Sequence, residues 1–373
     1  LSFSVTGMLL FVTANDLLVM FVALEVMSLP LYLLAGLARR RRLLSQEAAL
    51  KYFILGALAS AILLFGSALT YAYTGSLEFG QISNGISSAN NSPGLLTAAI
   101  ALVAVGMLFK IGAVPFHQWV PDVYTGAPTP VTSFMAGAVK VAAFGGLLRI
   151  FYVAFGSLVW DWRPLIWVVA GLTMVVGSVI ALSQSDFKRM LAYSSISNGG
   201  FILVGFSGTN RAAIAAVLIY LITYAFATVG AFALITLIRE QAGESATLIR
   251  WKGLGKKSPL VAGLMSLFML SFAGVPLTSG FTAKFGVFTA AIAGGATPLV
   301  LIGVLASVIA AVFYIRVIIL MFFSDPIPEG PFVVVPSVFT TIAISASTVV
   351  TIILGLFPQI VIDLVSSASV FLR

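Results

Sequence analysis

The sequence lacks cysteine and contains one histidine among its 373 residues. Without cysteine, the chain can form no disulfide bond, thiolate metal site or iron–sulfur cluster of its own. A single histidine, His117, also argues against haem ligation and against a multi-histidine metal site. No glycine-rich nucleotide motif of the form G-x-x-x-x-G-K or G-x-G-x-x-G follows a strand, so nucleotide binding has no support.

Charged residues are also rare in this sequence. Only 9% of the residues are charged and 60% are hydrophobic, with a mean hydropathy of +1.12. A soluble domain carries far more charge than this. The 20 Lys and Arg residues against 12 Asp and Glu residues give a net charge of +8, which we interpret as loop charge and not as a nucleic-acid surface. The composition predicts an all-α polytopic membrane protein.

Long apolar runs predict the membrane-spanning helices. The predicted spans are residues 15–37, 48–74, 95–119, 129–154, 165–184, 190–207, 212–239, 259–293 with a break, 298–323 and 333–356. Residues 1–13 are too short to span a bilayer, which needs roughly 20 apolar residues. The sequence starts at Leu1 with no signal-peptide pattern, so we expect it to begin inside a helix and to lack N-terminal helices of a longer protein.

Basic residues collect in three of the predicted loops. The clusters are Arg39–Arg42, Lys188 with Arg189, and a third group comprising Arg239, Arg250, Lys252, Lys256 and Lys257. Counting the spans between them places all three clusters on one side of the membrane, which the positive-inside rule assigns to the cytoplasm.

One stretch, Leu108–Lys140, combines ionisable groups with helix breakers inside an apolar region. It contains Lys110, His117 and Lys140. Its four prolines are Pro115, Pro121, Pro128 and Pro130. Ionisable side chains at membrane depth are costly and indicate function, and interrupted helices in lipid require a protein-lined or water-lined surface. The stretch therefore predicts a broken helix with buried amines beside a hydrated path.

A second break is predicted where Gly274-Val275-Pro276 precedes Lys284, similar to the G-A-V-P that follows Lys110. The two segments cross in opposite directions by our count, a pattern typical of inverted-repeat transporters. We predict a first repeat over residues 1–155, a second, inverted repeat over 156–323, and a C-terminal helix and tail over 324–373.

Each candidate residue has a structural alternative. Glu25, midway along its span, is a carboxylate coupled to a buried amine or a protonated carboxyl held by a helix neighbour. Lys110 relays protons or snorkels to an interface, whereas Lys140 lies near mid-span, where snorkelling is harder. His117 shuttles protons or caps an irregular turn. Lys284 relays protons or bonds carbonyls freed by the break.

Asp122 is expected to be solvated near the cytoplasmic mouth. A desolvated lysine loses proton affinity and a nearby carboxylate restores it, which is the chemistry that a proton relay needs.

The segment FKIGAVPFHQWVPDVYTGAPTPV, together with NDLLVMFVALEVMSLPLYLLAG, DFKRMLAYSSISNGGFILVGF and AGVPLTSGFTAKF, resembles the antiporter-like proton-conducting subunits. These occur in respiratory complex I, the proton-translocating NADH:quinone oxidoreductase, and in multisubunit sodium/proton antiporters. The resemblance runs essentially end to end. It implies that Glu25 is the fifth-helix glutamate, Lys110 and Lys140 are the lysines of the seventh and eighth helices, and Lys284 is the ionisable residue of the broken twelfth.

Among these subunits the sequence is most similar to the N type. In the M type, the resemblance would imply a glutamate at the position of Lys284. The L type would need a long C-terminal helix beyond Arg373. The N-type resemblance implies a proton-translocating subunit without redox chemistry of its own, in an energy-transducing membrane and beside other membrane subunits and lipid. NADH, FMN, iron–sulfur clusters and quinone would belong to partner subunits. The family often has histidine where this sequence has Asn198.

Two alternatives to this function stay open at the level of sequence. One is a sodium/proton antiporter subunit without redox coupling. The other is a structural membrane subunit whose lysines are inert.

Overall fold

The computed structural model describes residues 1–38, 42–88, 93–208, 210–240, 243–244, 246–327 and 330–368. Helices dominate these residues. In chain order they are α1 Ser2–Thr13, α2 Leu17–Ala35, α3 Arg42–Thr74, α4 Phe79–Ser88, α5 Pro93–Ile111, α6 Trp119–Gly126, α7 Thr129–Phe134, α8 Lys140–Arg149, α9 Val159–Leu182, α10 Phe187–Phe206, α11 Arg211–Ile235, α12 Leu254–Lys257, α13 Pro259–Ala273, α14 Ser279–Ala293, α15 Thr297–Phe322, α16 Val338–Leu356 and α17 Gln359–Ala368.

The predicted membrane architecture is confirmed. Within the described residues, eight helical segments are long and apolar enough to cross a membrane. Eight of the ten predicted spans correspond to these segments, and the predicted spans 190–207 and 259–293 do not. Segment Thr129–Ala154 has the predicted bounds, whereas α9 begins at Val159, six residues before the predicted start at 165. The amphipathic helix α4 lies in a stretch that we had read as a loop between spans. The fold is therefore a polytopic bundle.

Helix α10 forms the centre of the bundle. It is 20 residues long, and nearly all its side chains are buried, including Ser194, Ser195, Ser197 and Asn198. Because protein surrounds it, this helix can carry hydroxyl and amide groups that lipid would not tolerate. It packs against α9, α6, α14, α11 and α15, so its polar side chains are shared by both halves of the bundle.

Two helices stop in the middle of a predicted span. Helix α5 ends at Ile111, where Gly112 adopts φ +75°, and helical structure resumes only at Trp119. Helix α5 thus ends eight residues before the end of the predicted span 95–119, within the stretch where a broken helix was predicted, and Lys110 lies in its last turn. Helix α13 ends at Ala273, with Gly274 at φ +81°. Both glycines adopt the left-handed conformation that ends helices without a Cβ clash.

The segment around Lys140 deviates from regular α-helix in a way that the sequence did not indicate. Five-residue π turns, Met135–Val139 and Ile150–Ala154, flank α8 on both sides. The whole stretch Thr129–Ala154 still forms one candidate span. Lys140 follows the first π turn directly, and π turns in α-helices occur frequently at functional sites.

A small antiparallel sheet, also not predicted, lies outside the spans. Strand β1 Ile238–Glu240 lies between β2 Gly243–Glu244 and β3 Phe332–Val333. Nearby, Lys256 Nζ lies 2.8 Å from an exposed Asp325 carboxylate oxygen, and this hydrogen bond lowers the pKa of Asp325 below its ordinary value. The sheet ties the loop after α11 to the loop after α15.

Two of the three basic clusters lie at the same end of the bundle. Asp186 and Thr247 form a β-bridge, which places the loop before Lys188 beside the loop that contains Arg250. Arg42 of the first cluster begins α3, whereas Arg39, Arg40 and Arg41 lie outside the described residues.

At the second helix break, Gly280 packs so closely against α13 that a larger residue would clash. An added Cβ there would lie 1.7 Å from Ser271 O, whereas one added at Gly263 of the same hairpin would meet nothing within 4 Å. We expect Gly280→Ala to lower the free energy of unfolding by about 1–3 kcal/mol because the two half-helices must separate. Thermal unfolding in detergent measures this. Gly263→Ala is the matched control, and equal stabilities of the two variants would contradict the described packing.

Candidate functional site

Lys110 is buried at the end of α5, with 6% of its surface exposed. Its ammonium donates to Ser28 Oγ at 2.7 Å and lies 5.8 Å from the centre of the Tyr52 ring. Snorkelling to an interface does not describe this side chain, because its charged end contacts groups inside the bundle. Ser28 in turn donates to the main chain of its own helix at Leu24 O.

Glu25 lies one helical turn before Ser28 on α2. Its Oε1 is buried and has no hydrogen-bond partner in the described part of the chain. The carboxylate and the Lys110 ammonium are close enough to interact electrostatically, but the ion pairs found among the described residues do not join them directly. Ser28 is the group that contacts Lys110. The coupling of Glu25 to a buried amine stays a prediction.

Lys140 is 4% exposed and fully engaged by α10. Its Nζ donates to the main-chain oxygen and to the hydroxyl of Ser195, both at 2.6 Å, and lies 5.5 Å from the centre of the Tyr224 ring. A Cβ added at Gly199 would lie 3.7 Å from Lys140 Nζ and 3.9 Å from Ile111 O. Gly199 therefore lies close to both the Lys140 ammonium and the end of α5.

Lys284 contacts the end of the other broken helix. Its Nζ donates to Phe272 O at 2.9 Å, to Ala273 O at 3.1 Å and to Ser307 Oγ at 3.0 Å. It also lies 4.6 Å from the centre of the Phe201 ring. The carbonyls freed at the break are thus bound by this lysine, as the structural alternative expected, and a hydroxyl of α15 completes its contacts.

His117 lies in the irregular segment between α5 and α6. Its Nδ1 is buried and has no hydrogen-bond partner among the residues described, and its ring centre lies 6.5 Å from that of Tyr193. The structure does not join His117 to any of the three lysines by one of the hydrogen bonds found in the described segments. Its assignment as a shuttle stays a prediction.

We had expected Asp122 to be solvated, but its carboxylate is held in ion pairs. Its two carboxylate oxygens lie 2.8 Å from Lys51 Nζ and 2.7 Å from Arg189 Nη1, with about a third of its side chain exposed at 31%. Lys51 also pairs with Glu47 at 2.6 Å. These charges form one partly exposed cluster that joins α3, α6 and α10.

The groups that sequence reasoning missed are the hydroxyls. Ser28, Ser195 and Ser307 each accept a hydrogen bond from one of the three lysines. Two of them lie in motifs that we had singled out, VMSLPLYLL and AYSSISNGG, but serine is common in membrane helices and its partner depends on helix packing. In the described residues, no group of three or more His, Cys, Asp or Glu residues could hold a metal ion.

The sequence pattern of one protein family covers most of these elements. The family described as NADH:quinone oxidoreductase/Mrp antiporter, transmembrane, matches residues 14–310. The chain belongs to this family. All five sequence-predicted site residues lie within the matched range, as do both helix breaks.

Curated relatives carry one recurring name. The NADH-quinone oxidoreductase subunit N of Rhodococcus opacus is 60% identical over 371 residues, which is 100% of this chain and 69% of that protein. The protein of the same name from Acidothermus cellulolyticus is 56% identical over 371 residues, covering 100% of this chain and 72% of that protein.

Solved structures from two kinds of complex share the fold. A chain of respiratory complex I from Thermus thermophilus, with bound aureothin, is 37% identical with a TM-score of 0.83, covering 97% of this chain and 78% of that one. A chain of the Mrp complex from Dietzia sp. DQ12-45-1b is 26% identical with a TM-score of 0.89, covering 99% and 76%.

The contacts of Lys284 predict that this lysine is dispensable for folding. Leu270 O already accepts from Gly274 N and Val275 N, both at 3.0 Å, so α13 ends without the lysine. Lys284→Met loses the hydrogen bonds to two carbonyls and to Ser307 Oγ. This loss is offset because the variant no longer has to desolvate an ammonium group. We expect a free energy of unfolding within about 1 kcal/mol of the parent protein. Thermal unfolding with native-gel assembly measures this, and a variant that fails to assemble would show that Lys284 is a structural residue.

Proposed function

We propose that this chain is the N-type proton-translocating membrane subunit of NADH:quinone oxidoreductase, working through a relay of Glu25, Lys110, Lys140 and Lys284. The observation that carries the proposal is the burial of all three lysines, which are 6%, 4% and 6% exposed. An ammonium held at membrane depth without an ion pair is costly and marks an ion or proton pathway.

The neighbours of the three lysines suit proton exchange. Hydroxyl groups accept and donate hydrogen bonds, and each lysine contacts one of them. Such neighbours accommodate both the charged and the neutral amine, whereas a tight ion pair would hold the lysine charged. Within the proposal, Glu25 and Lys110 form the loading pair, Lys140 is the central relay and Lys284 is the exit-side relay. His117 and ordered water would complete the path.

Partner subunits would supply the energy for pumping. Relatives of this chain are named as subunits of NADH-quinone oxidoreductase, so we place the chain beside the other membrane subunits of such a complex. NADH, FMN, iron–sulfur clusters and quinone would bind to those partners, and we expect no cofactor in this chain. The inverted relation between residues 1–155 and 156–323, followed by a C-terminal part over 324–373, belongs to the same proposal.

A sodium/proton antiporter subunit is the second candidate function. The similarity to a chain of the Mrp complex, with a TM-score of 0.89, favours it. Sequence identity favours the first candidate, because that antiporter chain is 26% identical and the subunit N proteins are 56% to 60% identical. Proton uptake that depends on NADH oxidation in the parent complex would separate the two functions.

The end of the bundle that carries the basic loops is proposed to face the cytoplasm. Because the chain has no cysteine, one introduced cysteine reports its side of the membrane without background. Lys256 is 59% exposed at its side chain, and Gln81 is exposed in α4, in the loop between α3 and α5. We expect Lys256→Cys to react with an impermeant maleimide in inverted vesicles, and Gln81→Cys to react in right-side-out vesicles.

Detergent solubilisation is the control for this labelling, since both cysteines should then react. Equal labelling of the two positions from one side of intact vesicles would contradict the proposed topology.

Lys140 supplies the direct test of the relay. Lys140→Ala removes the amine, and Lys140→Arg keeps a charge that is not released at any working pH. We expect both variants to assemble, and NADH-driven proton uptake in vesicles to fall on the order of tenfold in each, because neither can pass a proton on.

Lys256→Ala is the matched control, because it removes a lysine whose side chain is 59% exposed, and its proton uptake should equal that of the parent. Full pumping by Lys140→Arg would mean that Lys140 serves as a fixed charge, and its relay role would be withdrawn.

A further inference from the structure

A cluster of uncharged polar groups lies on the side of α10 that faces α11 and α15. Its members, Ser194, Asn198, Tyr220 and Tyr314, are all between 1% and 3% exposed. The hydroxyls of Ser194 and Tyr314 are hydrogen-bonded to each other, and either oxygen can be the donor. None of these side chains carries a charge at neutral pH, so the relay of lysines and glutamate described above does not include them.

Asn198 is hydrogen-bonded to both phenols of the cluster. Its Oδ1 accepts from Tyr220 OH at 2.8 Å. Its Nδ2 donates to Ser194 O at 2.9 Å and to Tyr314 OH at 3.3 Å. The Tyr314 oxygen accepts this bond while it also shares the Ser194–Tyr314 hydrogen bond, in which either oxygen can be the donor. The amide itself has no proton to exchange, so it orients the hydroxyl pair without titrating.

The cluster borders the Lys140 site. Ser195, the acceptor of Lys140, follows Ser194 in the chain. The ring of Tyr224, which Lys140 Nζ approaches to 5.5 Å, packs against Phe272 with ring centres 6.1 Å apart. Phe272 in turn packs on Tyr314, at 5.8 Å and an interplanar angle of 30°.

The cluster also borders the Lys284 site through the same phenylalanine. While the Phe272 ring covers Tyr314, its main-chain oxygen accepts from Lys284 Nζ at 2.9 Å. Packing contacts through Tyr224 and Phe272 thus connect the hydroxyl pair of Ser194 and Tyr314 to the sites of both lysines. Neither lysine has a charged group of the described residues within ion-pair distance.

We propose that the Ser194–Tyr314 hydroxyl pair carries protons between Lys140 and Lys284, with Asn198 as its positioning residue. This inference rests on the proposed function. A proton leaves Lys140 Nζ and forms a new O–H bond at one hydroxyl, whose own proton passes to the next oxygen. The last proton forms an N–H bond on a neutral Lys284 amine. Where two successive groups share no direct hydrogen bond, ordered water connects them. Each hydroxyl ends with one proton.

The test compares two isosteric replacements of Ser194 in the assembled complex. Ser194→Thr keeps the hydroxyl, and Ser194→Val adds the same bulk without it. We expect NADH-driven proton uptake per NADH oxidised to fall several-fold in the valine variant and to be retained in the threonine variant. Equal behaviour of the two variants would overturn the proposal, because packing alone would then explain the result.

Tyr314→Phe removes the second hydroxyl and keeps the ring that stacks on Phe272. We expect the same several-fold loss in proton uptake per NADH oxidised. Its control is Tyr152→Phe, which removes a phenol that donates to Phe206 O about three helical turns along the chain from Lys140. We expect the control to pump like the parent, and normal pumping by Tyr314→Phe would overturn the proposal.

Asn198 is tested by its pH profile, which a purely structural role would not change. Asn198→His can donate from one ring nitrogen and accept at the other while neutral, but its charged form only donates. The groups facing this position are Tyr220, Tyr314 and the Ser194 carbonyl. We expect pumping to be retained at alkaline pH and lost on acidification, whereas Asn198→Leu is impaired at every pH. A histidine variant with the parent's profile would refute the positioning role.

Failure of this inference can be separated from failure of the proposed function. If the parent complex does not pump, or Lys140→Ala pumps normally, the proposed function fails. If Lys140→Ala loses pumping while Ser194→Val and Tyr314→Phe pump like the parent, only the hydroxyl link fails. Native gels of every variant verify that the compared complexes are assembled.

Discussion

Three buried ammonium groups need hydrogen-bond acceptors inside the bundle, and this requirement is the constraint on how its polar groups are arranged. Lipid offers no partner for an ammonium, and unpaired charge at membrane depth is expelled or neutralised. Here the partners are main-chain oxygens and hydroxyls: Ser28 for Lys110, Ser195 for Lys140, and the end of α13 with Ser307 for Lys284. The interrupted helix α13 supplies two of these oxygens, Phe272 O and Ala273 O, because the last carbonyls of a helix have no partner within it.

The breaks therefore serve both folding and chemistry. Gly112 and Gly274, both in the left-handed conformation, stop α5 and α13 inside the bundle, and the carbonyls at the end of α13 bind Lys284. The inverted repeat stays part of the proposal.

Helix α10 connects these sites because it is enclosed by other helices. A helix facing lipid would have to present apolar side chains, whereas α10 carries Ser194, Ser195 and Asn198 toward different neighbours. Ser195 serves Lys140, and Ser194 with Asn198 serves the phenols of α11 and α15. The path proposed between Lys140 and Lys284 uses this polar central helix, which the apolar helices around it enclose.

The sequence by itself determined the membrane class, the positions of most spans and the identity of the costly residues. Apolar runs, and lysines that interrupt them, are visible in the sequence itself. Glu25, Lys110, Lys140 and Lys284 stand out because charged residues are rare in this chain. Local pattern could not determine which groups meet those charges. The partner of a helical serine depends on the tertiary arrangement of the helices, which brings Ser28 to Lys110 and Ser195 to Lys140.

The end of α5 at Ile111, the π turns beside Lys140 and the ion pairs of Asp122 were likewise decided by tertiary structure. Their energies come from contacts between residues far apart in the chain, which no periodicity records.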